Sequence, residues 1–464
     1  MIMRKTTLLL PVIAFLSACA VGPNYKAPPL AVPDQFRGAS APAAPIANRE
    51  WWAALQDEAL ESLIQEALAT GYDVRLAAWR VEEARAQLGI AKSEFYPGVQ
   101  AGAGWSKNHQ SEFPFGPIDD SALYDVNVGV SWEIDLWGRI RRLKEAALAR
   151  YLATEEAQKG VQLSLAAEVA AGYFQLRALD FQLEIARRTA EAFQGTQDLF
   201  DRRLAAGLAS PLETSSAAAS LASTKATIPE LERRIAAQEN LLAFLVGRNP
   251  GEIKRGKPLE DQIVPPEVPV GIPSDLLKRR PDLLQAEQEL VAANADVGVA
   301  VAEFFPRISL TGAFGGVAPQ VSDIFSDGKT WSIGAGLLTP VFQGGRLKQN
   351  KRAAEARWEQ AKVQYERSVT NAFSEVATAL VAYEKLAVTE SELSRAVAAY
   401  REAFRVSNSR YLSGLSDYLD VLQAQRQLYP AEQALAQTRY ERLATLVGLF
   451  RALGGGWEEA NRAS

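Results

Sequence analysis

Along the C-terminal half of the chain the apolar positions fall into one long regular row. Phe373, Val376, Leu380 and Tyr383 recur at steps of three and four. Leu393, Val397, Tyr400, Phe404 and Tyr411 carry the row on past a polar Ser407. A period near 3.5 is the seam of a coiled coil. No proline or glycine lies between Gly345 and Gly414. The pattern therefore predicts one helix over Arg346–Tyr411, roughly 100 Å long at 1.5 Å per residue. Val169, Tyr173, Leu176, Leu183, Phe193 and Phe200 form a second seam, on a helix from Gly138-Arg139 to about Leu204. Shorter helices are expected from about Glu58 to Ala69 and from Asp73 to about Phe95, the latter ended by Pro97. A turn at Gly207 to Pro211 leads into another, to about Val246.

Elsewhere the period is two. Val99, Ala101, Ala103 and Trp105 alternate with Gln100, Gly102 and Gly104. Val126, Val128, Val130, Trp132 and Ile134 alternate with Asn127, Gly129, Ser131 and Glu133. Ile308, Leu310 and Phe314 open a third such stretch, and Trp331, Ile333, Ala335 and Leu337 make a fourth against Ser332, Gly334 and Gly336. One apolar and one polar face at period two is the signal of a strand.

The whole pattern occurs twice. Asp73, Gly89 and Glu94-Phe95-Tyr96-Pro97 line up with Asp282, Gly298 and Glu303-Phe304-Phe305-Pro306. Gly138-Arg139-Ile140 matches Gly345-Arg346-Leu347, Gly207-Leu208 matches Gly414-Leu415, and Val246-Gly247 matches Leu453-Gly454. Each half reads helix, hairpin, long helix, turn, helix, an internal repeat. The expected organisation is a leader (1–18), a tether and equatorial segment (19–72), a first repeat (73–248, hairpin 98–136), a proline-rich linker (249–280), a second repeat (281–454, hairpin 307–342) and a tail (455–464).

Four strands leave two open edges. Unpaired backbone in lipid costs several kcal/mol per group, and closed membrane barrels start at about eight strands. If one face meets lipid, the barrel is shared between chains. Two chains would give about eight strands around a filled interior, and three about twelve, enough for a pore. Glycines on the polar faces suit a curved wall.

Composition narrows the class. The net charge is -5, with 48% hydrophobic residues, and no basic footprint for nucleic acid. Arg4 and Lys5, an apolar run over Thr6 to Phe15, and Leu16-Ser17-Ala18-Cys19 read as a secretory signal. Its ending resembles the lipobox of bacterial lipoproteins, in which the cysteine carries the lipid. Cys19 is the only cysteine, and Ala20 after it favours sorting to the outer membrane. Prolines between Ala20 and Asn48 suggest an extended tether. His109 is the only histidine, so no nucleophile–histidine–carboxylate set is available. Both methionines lie in the leader, which gives soft-metal ligation little support. Neither an enzyme, a metal site nor a cofactor beyond the lipid on Cys19 is expected.

Four further stretches carry a family resemblance: Cys19-Ala20-Val21-Gly22-Pro23-Asn24-Tyr25, Asp135-Leu136-Trp137-Gly138, Leu277-Lys278-Arg279-Arg280-Pro281-Asp282-Leu283 and Ala452-Leu453-Gly454-Gly455-Gly456-Trp457. Together they resemble the lipid-anchored outer membrane factors of tripartite efflux systems, in the TolC-like superfamily (NodT/OprM-type branch). The resemblance implies a mainly α fold with a membrane β-barrel contribution. Three copies would form a twelve-strand barrel over a periplasmic α-helical coiled-coil barrel. It implies an exit duct that passes drugs or other small toxic molecules from an inner-membrane RND-type pump through a periplasmic adaptor. Homotrimer, adaptor, pump and outer-membrane lipid are the expected partners.

It also marks sites. The turns around Leu204, Gly207, Leu208 and Ser210, and around Tyr411, Gly414, Leu415 and Asp417, resemble the family's adaptor-docking tips. Beyond the second turn, Leu419, Asp420, Gln423 and Arg426 stand where the family's duct narrows at its periplasmic end. On a helix Leu419, Gln423 and Arg426 share a face and Asp420 lies one turn before Gln423. Repeated in three copies, Asp420 would form a cation-binding collar and Leu419 an apolar constriction, with Arg426 as candidate partner of Asp420. Many relatives carry aspartate where Gln423 stands, which removes a second acidic ring. The competing readings are a component of type I protein secretion or metabolite export, and a lipid-anchored strut without a pore.

Overall fold

The computed structural model describes residues 20–37, 51–108, 121–265, 271 and 273–455. The leader, Cys19, His109 and the residues after Gly455 lie outside them. The two halves repeat in length as well as in order. The first contains α1 (Glu58–Thr70), α2 (Tyr72–Ser93), β1 (Gly98–Asn108), β2 (Ser121–Ile134), α3 (Arg139–Ala205) and α4 (Pro211–Leu245). After a short α5 (Pro273–Arg279) the second contains α6 (Pro281–Ala302), β3 (Arg307–Ala318), β4 (Lys329–Leu338), α7 (Arg346–Leu412) and α8 (Tyr418–Ala452). Helices α2, α3 and α4 have 22, 67 and 35 residues, and α6, α7 and α8 have the same three lengths. The stretch 249–280 is more ordered than a plain linker: besides α5 it contains a 3-10 turn at Leu259–Asp261. Pro273 does not break α5 because it stands at its first position, where the missing N–H has no partner to lose. Among the described residues no helix is long and apolar enough to cross a membrane.

The chain forms two compact units, neither of which is a sequence repeat. One takes residues 20–30, 80–155 and 285–366, the other 31–37, 51–79, 156–284 and the described residues from 367 onward. In the first unit the four strands make one antiparallel sheet in the order β1-β2-β3-β4. The β2–β3 pairing, with Val128 opposite Phe314 and Ile134 opposite Ile308, joins the two halves. Parity keeps the faces distinct: Val99, Val130, Gly312 and Ile333 lie in one row, Gln100, Gly129, Ala313 and Ser332 in the next. On the apolar face Trp105, Phe314, Trp331, Ile333 and Leu337 are all more than half exposed. On the polar face Gly104 makes room for the Asp125 side chain and Gly336 for Ser309.

The same unit holds residues 20–30. The Val21 N–H donates to the Trp137 carbonyl (3.0 Å), and the buried Arg142 donates to Asn24 Oδ1 (2.7 Å). Asn294 Nδ2 donates to the Pro23 carbonyl (3.0 Å). Gly22 and Gly298 pass so closely that a Cβ on Gly22 would lie 2.6 Å from the Gly298 Cα. Asp135 accepts the first N–H groups of α3, from Ile140 and Arg141, at the positive end of the helix. Trp137 stacks on Phe305 at 4.9 Å.

In the second unit Trp51, Leu60, Ile64, Tyr173, Phe174, Leu242, Leu446 and Phe450 share one core. The predicted seams face inward: Val169, Tyr173, Leu176, Phe200, Val376 and Val397 are all nearly or fully buried. Asp57 ties the core together. It caps α1 by accepting from the Ala59 and Leu60 N–H groups, and its other oxygen accepts from Tyr173, the Lys257 N–H and Gln262.

Candidate functional site

The two tips lie in the second unit and leave their long helices by one device. Gly207 has φ +71 and Gly414 φ +72. The Leu208 N–H donates to the Arg203 carbonyl (2.8 Å) and the Gly207 N–H to that of Leu204 (2.9 Å). At the second tip Leu415 and Gly414 donate to Arg410 (2.9 Å) and Tyr411 (3.0 Å). Such paired bonds are the Schellman helix end, which places a left-handed residue after the helix. A Cβ on either glycine would meet nothing within 4 Å. The backbone angle, and not crowding, is therefore what calls for glycine.

The tips differ one step later. Ser210 forms a full capping box with Glu213, the serine N–H donating to Glu213 Oε2 at 2.7 Å. Asp417 stands at the start of α8 without a side-chain capping bond. Ser416 Oγ and Tyr418 OH, buried beside it, have no hydrogen-bond partner among the described residues. An aromatic cluster joins the tips: the Phe200 and Tyr418 rings meet edge-on at 4.4 Å, and Tyr411 and Tyr418 at 5.6 Å. The Arg203 guanidinium lies 4.9 Å over the Tyr411 ring and donates to its hydroxyl. Burial, and next the neighbouring Tyr411, push the Tyr418 hydroxyl up to about 12. Leu204, Leu208, Leu412 and Leu415 project into solvent, Leu208 at 78% exposure.

Past the second tip, α8 buries Tyr418, Val421, Leu422 and Gln425 and exposes Leu419, Asp420, Gln423 and Arg426. Asp420 and Arg426 form no ion pair within the described chain. Six positions on a helix separate them by about 9 Å along the axis and 120° around it, so the two do not pair within one copy. Further along α8, Glu432 does gather arginines. It is 5% exposed, and one oxygen accepts from Arg188 of α3 (3.0 Å) and Arg401 of α7 (2.8 Å). Sequence reading missed Glu432 and Arg203, because a single charge on a charged helix gives no sign of being buried or stacked. No group of metal-ligating side chains occurs among the described residues.

The profile of the family described as "Outer membrane efflux protein" matches residues 63–248 and again 272–455, one match in each half. The chain belongs to the outer membrane efflux protein family. The efflux protein is 37% identical over 462 residues to the outer membrane protein OprJ of Pseudomonas aeruginosa, covering 96% of this chain and 94% of OprJ. It is 33% identical to the cation efflux system protein CusC of Escherichia coli, covering 96% and 97%. Among solved structures it superposes on the outer-membrane channel OprN with a TM-score of 0.87 at 33% identity, covering 95% of this chain and 100% of that one. None of these relatives is named as an enzyme. The efflux protein is thus an outer membrane export component, mainly helical with one small antiparallel sheet.

Proposed function

We propose that three copies of the efflux protein close their sheets into one twelve-strand barrel, forming a passive exit duct through the outer membrane. Cys19 carries the covalent lipid that anchors each copy, and the helices extend into the periplasm. The observation that carries this reading is the open four-stranded sheet, with edges at β1 and β4 and an exposed apolar face. Open edges cannot face hydrocarbon, so the sheet closes with other copies. Twelve strands leave room for a lumen where eight do not.

The tips at Gly207 and Gly414 receive a periplasmic adaptor, and an inner-membrane RND-type pump loads the duct. Their exposed leucines and open glycines fit the close approach of a partner helix. In the trimer Leu419, Asp420, Gln423 and Arg426 form the periplasmic aperture, with the Asp420 ring drawing cations. The cargo is drugs or other small toxic organic molecules. OprJ, named as an outer membrane protein, and the toluene efflux component TtgC of Pseudomonas putida at 34% identity are consistent with this. The sequence outside the leader contains no methionine, which disfavours the soft cations that thioether ligands select. The chain performs no catalysis and holds no cofactor besides the lipid.

Reconstitution of the full-length protein in a planar bilayer tests the reading. Discrete ionic currents from a preparation that crosslinks as trimers are expected. A folded, monomeric preparation without currents would overturn it.

A further inference from the structure

The lysines and the carboxylates of the sheet lie on opposite faces, with Arg307 of β3 on the face of the carboxylates. Lys107 shares the parity of Trp105 in β1, and Lys329 that of Trp331 in β4, so both lysines belong to the apolar face. Asp125 and Glu133, the acidic residues of the described strands, share the parity of Asn127 and Ser131 on the polar face. Both lysines also stand at the end of the sheet away from the helices. Lys107 is the penultimate residue of β1 and Lys329 the first of β4.

Their surroundings are aromatic. Trp105, Tyr124, Phe314 and Trp331 occupy the same face, and Lys329 Nζ lies 5.5 Å from the centre of the Phe314 ring. The β3–β4 connection turns over this face: where Gly316 lacks a Cβ, the Ile324 carbonyl fills the space. Val321 and Phe325 of the same connection are exposed. Cations at the rim of an apolar band, among aromatic rings, match the level at which a bilayer presents phosphate. Their alkyl stems can lie along the apolar surface while the ammonium groups reach outward.

We propose that Lys107 and Lys329, with Trp105, Phe314 and Trp331, form a binding site for phosphate-bearing lipid headgroups in the outward-facing leaflet. The site rests on the reading of the sheet as part of a shared membrane barrel. Because β1 and β4 are the two edges, each junction between copies brings Lys329 of one copy and Lys107 of the next to the same face and the same end. On the lipid-facing side the charged residues of the described strands are the two lysines, while Asp125, Glu133 and Arg307 face the lumen.

The test uses the full-length protein in a neutral detergent, titrated with phosphatidylglycerol, with phosphatidylcholine and with inorganic phosphate, bound lipid being counted by native mass spectrometry. Each lysine near an anionic surface contributes roughly five-fold, so the Lys107→Ala, Lys329→Ala double variant should bind phosphatidylglycerol about 30-fold more weakly. The corresponding double arginine variant should bind as the parent does. Phosphatidylcholine affinity should be unchanged, and inorganic phosphate should not compete. Equal phosphatidylglycerol affinity in parent and double alanine variant would overturn the proposal. Competition by inorganic phosphate would overturn it too, by reducing the site to a general anion trap. Planar-bilayer current is read on the same preparations. Its absence in the parent would count against the duct, whereas its persistence in the alanine variant alongside lost lipid binding would support the lipid site alone.

Discussion

The two tip glycines allow the strain within the chain to be separated from the fit of a partner. Gly207 and Gly414 have nearly the same positive φ, and a Cβ at either would meet no atom within 4 Å. A non-glycine residue in the left-handed region costs roughly 1–2 kcal/mol. The loss of unfolded-state freedom on replacing glycine returns about 0.4–1 kcal/mol of this. The net cost of Gly414→Ala is therefore about 1 kcal/mol, and Gly207→Ala should cost the same. Gly414→Trp should cost the fold little more, because the space around the site is open in the chain itself. A bulky residue at a surface reserved for a partner helix would nevertheless prevent docking. Thermal unfolding of the purified protein should place G207A, G414A and G414W within a few degrees of one another and slightly below the parent. Drug susceptibility of a host lacking its own outer membrane component should show efflux lost in G414W, with trimers still assembled. Normal efflux in G414W would refute the docking role. A much lower melting temperature for G414W than for G414A would refute the inference that the glycine is needed for its backbone angle alone.

Other expectations follow from groups the helices bury. Asp57→Ala removes the cap of α1 and leaves Tyr173, Gln262 and the Lys257 N–H without their acceptor, so stability should fall by about 3 kcal/mol in denaturant unfolding; a loss below 1 kcal/mol would contradict the role of Asp57 as a tie. Tyr418→Phe deletes a buried hydroxyl that has no partner among the described residues. It should raise the melting temperature, by an amount matching about 1 kcal/mol, and a fall would show that the hydroxyl is bonded in the assembled protein. Asp420→Asn should reduce the cation preference of single channels, measured as reversal potential in a salt gradient, with no change expected for Gln423→Ala. An unaltered reversal potential in D420N would remove the acidic collar.

What the sequence determined by itself was everything carried by a local period. The seams of α3 and α7 show as a 3.5-residue rhythm because a helix repeats its face over every two turns. The four strands show as alternation because a pleat repeats every two residues. The glycines that end the two long helices were legible for the same reason, and the duplication because the same local patterns occur twice. The tertiary structure decided what depends on groups far apart. It paired β2 with β3 across the two halves, a choice that no rhythm within either strand encodes. It buried Glu432 between arginines of two other helices, while equally charged positions on α8 stayed in solvent. A period fixes which face turns inward, but the neighbour that meets that face is chosen by packing and hydrogen-bond satisfaction in three dimensions.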